Sequence, residues 1–163
     1  LRAFTIHSAM GKDFIHAGWL EYASFPELGI QNSVAKLDTG AYNSSIHARN
    51  ISVHCDPSAK DSGKGTVTFT YSPTGKAMEC CFPIYDIRAV KSSNGEIQQR
   101  IYIKTRIQMG DKNWPIIINL ADRSRMRFPV LIGRNSLRDN VIIHPGKKFM
   151  TREFYENSDH IPE

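Results

Sequence analysis

The residues best placed to do chemistry in this sequence are Asp38, Thr39 and Gly40, which follow the strand-like run Ser33-Val34-Ala35-Lys36-Leu37. An acid, a small hydroxyl residue and a glycine at a strand end put the carboxylate at a turn, where Gly40 lets the chain reverse closely. A carboxylate held in this way can take a proton from water or give one to a carbonyl oxygen. By itself the tripeptide is also an ordinary β-turn sequence. A second copy of the pattern, Asp61-Ser62-Gly63, has no apolar lead-in, because Ser58, Ala59 and Lys60 precede it and Lys64 and Gly65 follow. It reads as a solvated turn. His47, His54, Cys55, Cys80 and Cys81 carry metal-ligating atoms, but no CxxC or HxxxH spacing joins them. Catalytic zinc takes three protein ligands at recognisable spacing, and ATP needs a glycine-rich phosphate loop, so neither a metal nor another cofactor is expected. Arg123, Arg125 and Arg127, with Arg134 and Arg138 beyond, form a basic cluster. Such runs are mostly solvated faces.

The elements that must position these groups read as short strands. Phe14 to Tyr22, Ser33 to Leu37, Ser44 to Ala48, Thr66 to Tyr71 and Ala77 to Tyr85 are rich in aromatic and β-branched residues and are separated by turn chemistry. Ser72-Pro73-Thr74-Gly75 links two of them, and Ser92-Ser93-Asn94-Gly95 predicts a tight hairpin. A third hairpin joins Gln99–Met109 to Trp114–Leu120 around Gly110, Asp111 and Lys112. Within it Ile101, Ile103, Thr105 and Ile107 alternate with Tyr102, Lys104, Arg106 and Gln108, the period of a strand with one face on a core. Helix is scarce, and Asn135 or Ser136 is the expected cap of a short segment through Arg138 and Asp139. The 163 residues, 40% hydrophobic and 23% charged, suit one all-β domain with a closed or nearly closed sheet. No apolar run reaches the ~20 residues of a membrane span, so no membrane partner is expected. The net charge of +5 favours an anionic partner at long range. Nucleic acid is the weaker candidate, because Phe128 alone is no stacking motif beside the arginines. Three cysteines, two of them adjacent, exclude a disulfide framework and leave the roles of Cys55, Cys80 and Cys81 open. The compartment also stays open, between bacterial cytoplasm and periplasm.

A second segment changes the weight of Asp38. Phe128-Pro129-Val130-Leu131-Ile132-Gly133-Arg134-Asn135 is an apolar run ending in glycine, followed by an arginine and a helix-capping asparagine. With Asp38-Thr39-Gly40-Ala41 it resembles the two hallmarks of retropepsin-like aspartic proteases, in the right order. More narrowly, Gly18, Trp19 and Glu21, then Ala35 to Ala41, then Ser44 to Ala48, are similar to a bacterial retropepsin-like family that has carried the label ATP-dependent zinc protease. The likeness covers about Gly18 to Phe149, with the ends peripheral to a single domain over residues 1–163. It implies a retropepsin-like acid protease barrel, one lobe per chain, with one short helix after Gly133. It further implies Asp38, Thr39 and Gly40 as catalytic residues. Ala41, the flap residues Lys91, Ser92, Ser93, Asn94 and Gly95, and the second-motif residues Ile132, Gly133 and Arg134 would bind substrate. Tyr42 and Asn43 stand where retroviral members usually carry two acids, so the expected partner of Arg134 is missing. The spacing between motifs is also longer than in the viral enzymes, with the extra length expected in Ser52 to Tyr85.

Hydrolysis of a peptide by carboxylates needs one acid to take a proton from water while another protonates the carbonyl oxygen, and two acids sharing one proton do both. With one good Asp-Thr-Gly per chain, the resemblance implies a homodimer with Asp38 of each copy at a two-fold axis. The substrate would be an extended peptide or protein, with acidic peptides preferred because relatives of this family are often associated with ligases that add glutamates. The alternatives are a non-catalytic peptide-binding module of the same fold and a zinc-dependent hydrolase.

Overall fold

A computed structural model of the chain describes residues 13–54, 65–73, 75–91, 95 and 97–152. Its strands are β1 (Ile15–Phe25), β2 (Ile30–Asp38), β3 (Ser44–His47), β4 (Arg49–His54), β5 (Thr66–Tyr71), β6 (Met78–Pro83), β7 (Asp86–Lys91), β8 (Ile97–Met109), β9 (Lys112–Ala121), β10 (Val130–Gly133) and β11 (Val141–Lys148). A 3-10 turn, Pro26–Leu28, joins β1 to β2, and one short helix, α1 (Arg134–Leu137), follows Gly133. The large sheet runs β11-β1-β2-β10-β3-β9-β8-β7 and closes through a β1–β8 pairing at Ser24 and Gln108, giving a six-stranded barrel. The fold is the all-β barrel expected from the resemblance.

Alternation builds the core. On β8, Ile103, Thr105, Ile107 and Met109 point inward while Lys104 and Arg106 are exposed. On β2, Ser33, Ala35 and Leu37 are buried, which sends Val34, Lys36 and Asp38 to the opposite face. Phe25, Ile46, Ile103, Ile118 and Ile132 are almost wholly enclosed; burying a side chain of this size stabilises by about 2 kcal/mol. Tyr102 breaks the expected alternation: it is buried beneath Arg88, whose guanidinium lies 4.5 Å from its ring centre.

The stretch expected to hold extra length forms a separate sheet, β4-β5-β6. Its inward residues Val67, Phe69 and Tyr71 join the barrel's own hydrophobic cluster, and the Tyr71 hydroxyl hydrogen-bonds Ser33 of β2. Cys80 is buried there with its thiol toward the Leu28 carbonyl and Cys81 is exposed; both are free thiols. Burial pushes the Cys80 thiol up from its ordinary value. Cys55 and Asp61-Ser62-Gly63 lie outside the described residues. No helix among the described residues is long and apolar enough to cross a membrane.

Candidate active site

Asp38 is the last residue of β2, and its carboxylate is fixed by the turn that follows. Oδ1 accepts the Gly40 amide at 3.0 Å, the Ala41 amide donates to the Asp38 carbonyl at 3.2 Å, and Oδ2 receives the Lys36 ammonium at 2.8 Å. A side chain at position 40 would begin 3.1 Å from Oδ1, so glycine there keeps the oxygen clear. About a quarter of the Asp38 side chain (24%) remains exposed. The Lys36 hydrogen bond holds the carboxyl below its ordinary value against the effect of burial, with the Gly40 and Ala41 amides reinforcing it.

The second motif supports this turn from below. β10 runs parallel to β2 with Gly133 beside Asp38, and the 42–43 chain crosses directly over the glycine. A Cβ at Gly133 would lie 2.6 Å from the Asn43 carbonyl oxygen and 2.7 Å from that of Tyr42, so any larger residue displaces the loop. Beyond it, the Arg134 amide donates to Ala41 at 2.8 Å and the Asn135 amide to Tyr42 at 3.1 Å. These carbonyls do the work of a cap, which corrects the expectation that Asn135 or Ser136 caps the helix: both lie inside α1, and Gly133 occupies the cap position. Ser44 locks the base, accepting the Gly133 amide at 3.0 Å and meeting the Ser136 hydroxyl at 2.7 Å.

Arg134 finds partners other than acids. Its Nη1 donates to the carbonyls of Thr39 and Gly40 at 2.9 and 3.1 Å, and its guanidinium lies over the Tyr42 ring. In this chain it therefore splints the Asp38 loop through Nη1 while its side chain stays exposed. Ile132 also departs from expectation: it is fully enclosed in the barrel core, and of the β10 side chains it is half-buried Leu131, beside Lys36, that shares the Asp38 face. Thr39 and Ala41 stay at the turn. The expected flap is the β7–β8 hairpin, whose last pair is Lys91 with Ile97. Gly95 sits in its connection with φ +87°, a conformation suited to glycine, while Ser92, Ser93 and Asn94 lie outside the described residues.

Among the described residues, no three His, Cys, Asp or Glu side chains gather where a metal could be held. His47 accepts the Arg123 amide on Nδ1 at 3.0 Å, and His54 meets Thr68, so the two histidines serve separate strands. Of the basic cluster, Arg123 and Arg127 line one cavity of about 190 Å³, together with Arg49, His47, Ser124 and Met126. It lies at the His47–Pro129 end of the β3–β10 pair, four residues along β10 from Gly133 and thus roughly 13 Å away along the strand.

Comparison with known proteins places this geometry. Residues 16–153 match the RimB-like family, described as retropepsin-like aspartic endopeptidase RimB. The chain belongs to this family. Its sequence relatives include proteins described as alpha-L-glutamate ligases, from Desulfotalea psychrophila (36% identical, 77% of this chain and 27% of that one) and Shewanella halifaxensis (34%, covering 79% and 28%). The chain thus spans little more than a quarter of the length of these relatives. They carry a ligase name, in place of the zinc-protease label expected from the sequence. A crystal structure of a Legionella pneumophila protein of unknown function superposes with a TM-score of 0.70 at 28% identity, covering 85% of this chain and 99% of that one.

Around Asp38, sequence reasoning overlooked Lys36. The signal was available, because residues two apart on a strand share a face and Lys36 precedes Asp38 by two.

Proposed function

We propose that the chain is one half of a homodimeric aspartic-type peptide hydrolase, with Asp38 of two copies meeting at a two-fold axis. The observation that carries this reading is a rigidly held, part-exposed carboxylate at the end of β2, in a chain of a retropepsin-like family, with no second described acid acting on it. One carboxylate cannot both accept and donate a proton in the same step, whereas two across an axis share a single proton because their like charges cannot both persist close together. Water between them loses a proton to the ionised member as its oxygen bonds to the peptide carbonyl carbon, and the protonated member gives its proton to the carbonyl oxygen. The resulting diol collapses as one of its hydroxyls gives a proton to the ionised member, the protonated member gives its proton to the amide nitrogen and the C–N bond breaks, which leaves acid, amine and a pair again holding one proton. The β7–β8 hairpin would close over an extended substrate and add strand-like hydrogen bonds.

The substrate class we infer is acidic peptide. Arg49, Arg123 and Arg127 converge on one cavity, and the longer relatives are named for a ligase acting with glutamate, so a hydrolase acting on acidic chains fits beside them. Asp38→Asn tests the reaction: cleavage should vanish while fold and dimer persist, and retained activity would reject the mechanism. Oligoglutamate against neutral peptides tests the substrate, with equal cleavage removing the acidic preference. Binding without turnover over a full pH series would leave a peptide-binding module of the same fold.

A further inference from the structure

We propose that Lys36 is a positioning residue for Asp38, orienting its carboxylate and fixing the pH range over which the paired acids share one proton. The inference rests on the aspartic-hydrolase reading and goes beyond it. The two side chains leave β2 on one face, and their charged ends meet at 2.8 Å. With Gly40 on Oδ1 and Lys36 on Oδ2, both oxygens have a donor and the carboxylate plane is set. The neighbouring strands frame the lysine without competing for it: Leu20 of β1 and Leu131 of β10 are its register partners. The other charged groups around it are engaged elsewhere. Lys148 of β11, opposite Leu20, lies over the Trp19 ring. Arg134 of α1 donates to loop carbonyls. Glu21 of β1 is fully buried and bonded to Gly18, Met150 and Thr151.

In a symmetric dimer this brings two ammonium groups against two carboxylates. Repulsion between the acids favours keeping a proton, and each adjacent cation favours losing it. The cation therefore moves both steps of the pair's titration, and with them both limbs of the rate profile, toward lower pH. It does so without touching substrate, by acting on the oxygen it bonds.

The test is the pH dependence of kcat/KM on a peptide that the wild type cleaves, for Lys36→Met, Lys36→Gln and Lys36→Arg, with Asp38→Asn as control. Met and Gln should move both limbs up by about 1 unit, the size of shift a lost adjacent charge produces, and Arg should restore them. A lysine that only supports the fold would alter rate or stability and leave the limbs in place; unmoved limbs overturn the proposal. The Asp38 carboxyl carbon, titrated by NMR without substrate, gives a reading that needs no turnover: its midpoint should rise by about 1 unit in Lys36→Met, and no rise overturns the proposal. An active Asp38→Asn would sink the hydrolase reading, whereas an inactive one with unmoved limbs sinks the role of Lys36 alone.

Discussion

Glu21 and Asp38 carry the same functional group on adjacent, hydrogen-bonded strands, yet their surroundings divide them. Glu21 is wholly buried, and its two oxygens accept from the amides of Gly18, Met150 and Thr151 and from the Thr151 hydroxyl, at 2.6 to 3.2 Å. It ties the chain after β11 to β1, beside a glycine whose Cβ would collide with the Lys147 backbone at 2.4 Å. Asp38 has the Gly40 amide on one oxygen, the Lys36 ammonium on the other and an open side. A carboxylate whose oxygens accept four hydrogen bonds has no capacity left for a reacting proton, while one with a single donor on each oxygen and an open side keeps that capacity. The first is structural, and the second is the one our proposal assigns to chemistry.

Exchanging the two roles breaks this comparison most directly. Asp38→Asn should remove all measurable peptide cleavage and barely move a urea midpoint, because a part-exposed Lys36 pair contributes about 0–1 kcal/mol. Glu21→Ala should do the reverse in kind. Orphaning buried amides costs about 3 kcal/mol or more, measured by urea unfolding, and Glu21→Gln should recover part of that loss. A Glu21 variant of unchanged stability would contradict the structural assignment.

Gly133→Ala sharpens the comparison from beneath. The methyl group has to displace the Tyr42–Asn43 backbone, at about 1–3 kcal/mol for overpacking. Hydrogen exchange should quicken at the Arg134 and Asn135 amides, which bond that loop, while the Met150 and Thr151 amides on Glu21 stay protected. Equal loosening at both places would mean the two carboxylate regions are not independent.

The smallest expected effect lies at His47. Burial holds this ring below its ordinary value of 6.5; Asp122 opposes that, and Arg49 and Arg123 reinforce it. Protonation of Nδ1 would also displace the Arg123 amide bonded there. The unfolded chain takes up this proton more readily than the fold does, so the His47 contribution is intact above pH 6.5 and is lost as pH falls below it. His47→Asn should flatten the wild type's loss of stability between about pH 7 and 5; an unchanged slope would assign that loss to other groups.

The sequence made much of this legible where local pattern and burial agree. Thr66–Tyr71 was read to the residue, and β8 and β9 were read within two residues, because their alternation matches a one-sided core. β4 escaped because all six of its residues are exposed and show no alternation to read. β11 escaped because His144, Pro145 and Gly146 interrupt its apolar start. At the site, Asp38 and Gly133 stood out as motif residues, but their register across a parallel pair is a tertiary fact. The partners of Arg134 were hidden for a related reason: they are backbone carbonyls, which every sequence supplies and none advertises.

Subunit mixing tests the central claim most directly, because it asks whether one functional centre needs two copies of Asp38. Wild-type and Asp38→Asn chains, mixed in varying ratio and allowed to exchange, should show activity falling as the square of the wild-type fraction, to about a quarter at an equal mixture. A linear fall, to about half, would mean each chain acts with its own Asp38 alone and would contradict the account.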